Sequence, residues 1–151
     1  MKKLFLTFFG AGLLPKAPGT WGSVAGAVVA WGILWAFSNT TLFLASILLF
    51  LASVSVIDSY EAKTGVHDHG SIVIDEVAGV WLAIAISGDG VAQILLSLAF
   101  FRILDIKKPS IIGRVDRNVK GGLGVMADDM IAGFFAGLAS AICYGAYLKF
   151  A

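Results

Sequence analysis

Charge is what this chain has least of. Of its 151 residues 14% are charged, whereas 58% are hydrophobic and another 18 are glycine. Soluble domains carry about 25% charged residues, so this chain has too little polar surface to coat a soluble globule. Mean hydropathy is +0.89. The composition excludes a disordered or collagen-like chain and points to a helical membrane protein. Eleven basic and ten acidic residues leave a formal charge of +1, which gives no bulk field for nucleic acid. Any anion recognition must be local. A lone cysteine, Cys143, excludes an intramolecular disulfide, and within an apolar run it reads as a small core residue.

The few charges are spread unevenly. Trp21–Ile57, Val77–Gly88, Gly90–Phe101 and Met130–Leu148 contain none. Polar breaks at Ser38–Thr41 and Ser87–Gly90 leave five apolar segments, at 22–37, 41–57, 72–86, 91–104 and 129–148. A spanning helix needs about 20 apolar residues, which the first, second and fifth segments meet or approach. The third and fourth would be only about 22 Å long at 1.5 Å per residue. They either span with their ends drawn in or re-enter. The expected fold is an all-α integral membrane bundle of about five hydrophobic segments in one domain, 1–151. Its parts are an interfacial segment 1–20, a helical hairpin 22–57, a short acidic hairpin 71–104, a basic and glycine-rich loop 105–127 and a final helix 128–148. Met1–Ala17 has the outline of a signal peptide, but Pro18 follows the only reasonable cut. The segment is expected to stay and lie in the interface.

Alternating the segments places every basic residue except Lys149, and every acid except Asp89, on one face. The basic excess marks that face as cytoplasmic. Two opposed sets of charge on one face suggest a site rather than mere anchoring. Small residues at helical spacing (Gly22, Gly26 and Ala30; Gly133, Gly137, Ala141 and Gly145) read as helix-packing ridges; the sequence leaves a homo-oligomer open. Trp21, Trp31, Trp35 and Trp81 read as belt or packing residues.

Two acidic pairs stand at the starts of apolar runs, Asp75-Glu76 and Asp128-Asp129. One acid can cap a helix and meet its dipole. Four are harder to explain that way, because acids in an apolar segment are costly and argue for a partner. The simplest partner is a hard divalent cation, Mg²⁺, which shares its shell readily with phosphate. The opening of the first segment, with Gly19, Thr20, Gly22 and Ser23, offers amides and hydroxyls for a phosphate, or equally an ordinary helix cap. Arg102, Asp105, Lys107 and Lys108 close the fourth segment, where Arg102 also has a snorkelling explanation. His67 and His69 are too few for a metal site and read as solvated loop residues. Gly121–Gly124 reads as a flexible, close-approach loop.

Several phosphate chemistries are excluded. Cys143 has no arginine cradle after it, there is no Asp-x-Asp pair, and the two histidines share one loop. A carboxylate cluster holding a metal that activates water survives. Four stretches then resemble, in order, the motifs of the bacterial phosphatidylglycerophosphatase A family: Leu14–Ser23 (LPKAPGTWGS), Asp68–Gly79 (DHGSIVIDEVAG), Phe101–Pro109 (FRILDIKKP) and Gly121–Gly133 (GGLGVMADDMIAG). Ser110 and Ile111 depart from the family, which often has an aromatic and a second proline there.

The resemblance implies a Mg²⁺-dependent hydrolase of the bacterial inner membrane that converts phosphatidylglycerophosphate to phosphatidylglycerol and phosphate. Asp75, Glu76, Asp128 and Asp129 would hold the metal, with Asp68 or Asp105 completing its shell or positioning water. Glu61 lies near enough to join them. Thr20, Ser23, Arg102 and either Lys107 or Lys108 would hold the phosphate. Asp58 and Asp116 have an adequate explanation as solvated loop residues. A small ion or anion transporter would need charge at mid-membrane, where none lies. A structural membrane subunit would not need Arg102 opposite two acid pairs.

Overall fold

The computed structural model describes residues 1–150, and every regular element among them is helical. A short helix α1 (Lys2–Leu6) and a 3₁₀ turn (Ala11–Leu13) precede α2 (Pro18–Ala36), α3 (Asn39–Thr64), α4 (Ile74–Ser87), α5 (Val91–Lys107), α6 (Ser110–Asn118) and α7 (Gly121–Phe150). Among the described residues α2, α3 and α7, with 19, 26 and 30 residues, are long and apolar enough to cross a membrane. The chain is an all-helical membrane protein. α4 has 14 residues and α5 has 17.

The place of α4 explains its shortness. Every residue from Val77 to Ala85 is buried, against α2, α3, α5 and α7. A helix apolar all round belongs in a core. Lipid does not reach it, so bilayer thickness does not set its length. Its neighbours approach closely through small residues: Gly22 and Gly26 of α2 lie against Val73 and Val77, and Gly133 and Gly137 of α7 against the carbonyls of Gly79 and Ala83. The second ridge ends there, because a side chain at Gly145 would meet open space. Cys143 is exposed on the outer face of α7 rather than buried in the core. Trp81 is buried and its indole Nε1 donates to the Gly26 carbonyl at 2.8 Å, whereas Trp21, Trp31 and Trp35 are exposed.

Several boundaries differ from the sequence reading. α2 starts at Pro18, where proline has no helical amide to lose. α3 runs past Ile57 to Thr64 before Gly65 ends it in the left-handed conformation, so Asp58 and Glu61 are helical. The span 105–127 is not a loop. It holds the end of α5, all of α6 and the opening of α7, which begins at Gly121 and not at 128. α6 was hidden by its charges. Ile112 and Gly113 face inward while Arg114 and Arg117 face out. The Gly121–Gly124 stretch is close packed but helical. Its amide at Gly122 donates to Asp58 Oδ1 at 2.6 Å, which makes Asp58 a cap supplied by another helix.

Candidate active site

The starts of α2, α4 and α7 and the ends of α3 and α5 meet at one end of the bundle. There a cavity of about 160 Å³ opens, and its wall includes Asp68, Asp75, Glu76, Asp105, Lys108, Asp116, Asp128 and Asp129. Asp75 and Glu76 occupy the first turn of α4, where the helix dipole favours negative charge. Asp128 and Asp129 lie two turns inside α7, so capping does not account for them.

One carboxylate oxygen from each of Asp75, Glu76 and Asp129 lies within 4.8 Å of the other two. Asp75 Oδ1 and Glu76 Oε2 are also buried without a hydrogen-bond partner. Like charges at this spacing repel, and orphaned acceptors in an apolar setting are expensive. A divalent cation with oxygen ligands removes both costs at once, so the donor set fits one.

Asp128 turns away from this trio. Its Oδ2 accepts from Lys108 Nζ at 2.7 Å, and the same ammonium donates to Asp116 Oδ1 at 2.5 Å. Partial burial works against the charge on Lys108, but the two carboxylates outweigh it and hold the ammonium above its ordinary value. A raised lysine value stabilises the fold at every pH below the unfolded value, about 10.4, and that contribution fades only in stronger alkali. Lys108→Gln is expected to cost about 1–3 kcal/mol at neutral pH by leaving Asp128 buried without its partner. Thermal unfolding in detergent at pH 7 and above pH 11 would check it; the difference between wild type and variant should shrink at the higher pH.

Arg102 stands beside the trio. Its Nη1 donates to Asp105 Oδ2 and, at 3.3 Å, to Ser23 Oγ, while the Ser23 hydroxyl donates to the Gly19 carbonyl at 2.8 Å. The Nε of Arg102 is buried and unpartnered. Gly19 explains how α2 comes so near, because a Cβ there would collide with Glu76 Oε1 and sit 3.4 Å from Arg102 Nη1. The arrangement therefore sets an acidic trio beside a guanidinium with a donor to spare.

The other expected residues are placed differently. Lys107 is exposed and outside the cavity wall, so of the two lysines only Lys108 faces the site. Thr20 is half-buried and not part of the wall. Glu61 is apart from the trio. Its Oε1 accepts from the Asp68 amide and pairs with His67 Nδ1, both at 2.8 Å, so it braces the loop that carries Asp68 to the wall. Asp116, expected as a solvated loop residue, lies instead on α6 and in the cavity wall. Its signal was the four-residue spacing from Ile112, which puts both on one face of a short helix.

Membrane-length helices around a buried carboxylate trio, with arginine and lysine at its edge, define a class of helical membrane protein fitted for a cation and an anionic group together. The chain belongs to the phosphatidylglycerophosphatase A family, whose profile matches residues 4–144. It is 40% identical over 129 residues to the phosphatidylglycerophosphatase A of Haemophilus influenzae, covering 85% of this chain and 79% of that one. It is 42% identical over 127 residues to the Escherichia coli protein of the same name, covering 83% and 73%. A relative from Bacteroides thetaiotaomicron, provisionally named a phosphatidylinositol-3-phosphatase, is 34% identical over 138 residues, covering 86% and 85%. No solved structure matches the chain.

Proposed function

We propose that the chain hydrolyses the terminal phosphate of phosphatidylglycerophosphate, giving phosphatidylglycerol and inorganic phosphate. The observation that carries this is the partnerless pair of oxygens on Asp75 and Glu76, standing beside Arg102 and its free Nε. The names of the Haemophilus and Escherichia relatives support the substrate. The basic excess at the site end supports a cytoplasmic orientation in the bacterial inner membrane.

Asp75, Glu76 and Asp129 would hold Mg²⁺. When bound, the ion would lower the pKa of a water and offset charge on the phosphoryl oxygens. The chain's own residues do the rest. Arg102 binds the phosphoryl group through its planar donors, and Ser23 and Asp105 fix the guanidinium in place. Lys108 balances Asp128 and Asp116 so that the wall does not repel an incoming dianion. Asp105 and Asp68, wall carboxylates outside the trio, orient the attacking water. Its oxygen bonds to phosphorus as the ester P–O bond breaks, and the proton that the water gives up is matched by the one that the leaving glyceryl oxygen takes from solvent.

The test is phosphate release by purified protein from phosphatidylglycerophosphate, phosphatidylinositol 3-phosphate and phosphatidic acid. Release is expected to be fastest from the first. Chelation is expected to lower turnover on the order of 10³-fold, with Mg²⁺ restoring it. Turnover indifferent to chelation would remove the metal from the mechanism, and no release from any of the three lipids would overturn the enzyme reading.

A further inference from the structure

A second cavity of about 270 Å³, almost purely apolar, runs between α2 and α5, both of which rest on α4. Val24, Val28 and Trp31 form one wall, and Val91, Leu95 and Leu98 form the other. Spacings of three and four keep each set on one helix face. Continued by one turn, the same rows reach Thr20 on α2 and Arg102 on α5. There the walls are joined, because Arg102 Nη1 donates to Ser23 Oγ at 3.3 Å. The groove therefore starts one turn from the guanidinium beside the acidic trio, at Val24 and Leu98, and descends about 10 Å along α2, at 1.5 Å per residue from Val24 to Trp31. An amphiphile with an anionic head on Arg102 would have its apolar tail directed into this groove.

We propose that the α2–α5 groove takes an acyl chain of the phospholipid substrate, and so positions the head group at the trio. The proposal rests on the phosphatase reading above and adds where the lipid lies. A chain left in bulk lipid would give no fixed relation between glycerol and the trio. A chain in the groove gives one, because Ser23 and Arg102 mark the level at which tail becomes head.

The test compares long-chain dioleoyl phosphatidylglycerophosphate with a dibutyryl analogue whose tails end before Val28. Val28→Trp and Leu95→Trp fill the groove from opposite walls, and as both positions are more than 60% exposed the fold tolerates them. Leu48→Trp, on the outer face of α3 and 69% exposed, is the control. Each groove variant is expected to raise KM for the dioleoyl lipid about tenfold, the equivalent of roughly two displaced methylenes, and to shrink the preference for long over short chains by the same factor. The control should keep the wild-type preference. Groove variants with the preference of Leu48→Trp would overturn the proposal, since the chain would then lie in bulk lipid. An equal loss on both lipids would also overturn it, by assigning these positions to the head-group site or the fold. Wild-type protein that hydrolyses neither lipid would instead overturn the phosphatase reading itself.

Discussion

Asp129→Asn is expected to lower phosphate release on the order of 10³-fold while leaving the fold as stable as before, or more so. The side chain keeps its shape, so packing is unchanged. What changes is charge. Asp129 is buried within reach of Asp75 and Glu76, and removing one of three crowded carboxylates relieves their repulsion when no cation is present. The same removal deprives a bound cation of a ligand, so added Mg²⁺ should raise the melting temperature of the wild type more than that of the variant. Phosphate release and thermal unfolding with and without Mg²⁺ read the two halves separately. A variant that loses activity together with its fold would point to a packing role for Asp129. A variant that retains turnover would remove it from the site.

Gly133→Val is expected to cost at least about 3 kcal/mol and to abolish activity with it. Gly79 and Gly133 mark a close backbone approach of α4 and α7. A Cβ at Gly133 would collide with the Gly79 carbonyl oxygen and stand 3.0 Å from the Gly79 Cα, with only backbone to give way. Asp75 lies one turn before Gly79, and Asp129 one turn before Gly133. Both carboxylates thus stand directly above the contact, and whatever spreads the helices spreads the trio. Gly133→Ala should show a smaller form of the same defect. Its thermal unfolding, and the Mg²⁺ concentration needed for half-maximal activity, should lie between wild type and Gly133→Val. Full activity in Gly133→Val would show that the helix contact does not set the carboxylate spacing.

Much of this was legible in the sequence, because two kinds of signal are local. Uncharged runs report helices that meet lipid or a core, and paired acids at 75–76 and 128–129 stand out against so apolar a background. Other features depend on which helix lies beside which. The sequence distinguishes Asp128 from Asp129 in no way, yet adjacent positions on a helix point about 100° apart. One of them therefore meets Lys108 and the other meets the trio. Lys107 and Lys108 separate because the chain leaves α5 between them, with Lys108 turned into the left-handed conformation at φ 41°. Asp58 looked like a loop acid because the helix it caps begins 63 residues later, which no local pattern records. α6 was obscured because its inward face is small, with Ile112 and Gly113 fully buried among nine residues.

The enclosure of α4 also imposes an order in time. A ribosome releases Asp75 and Glu76 well before Asp129, and α7 is the wall that completes the sheath around them. Until α7 inserts, two neighbouring acids at the head of a short apolar helix have neither their third partner nor a dry surrounding. A nascent chain halted between α5 and α7 should therefore hold α4 loosely in the membrane and open to extraction. The trio is assembled by the last long helix to arrive, so a product truncated before α7 is expected to release no phosphate.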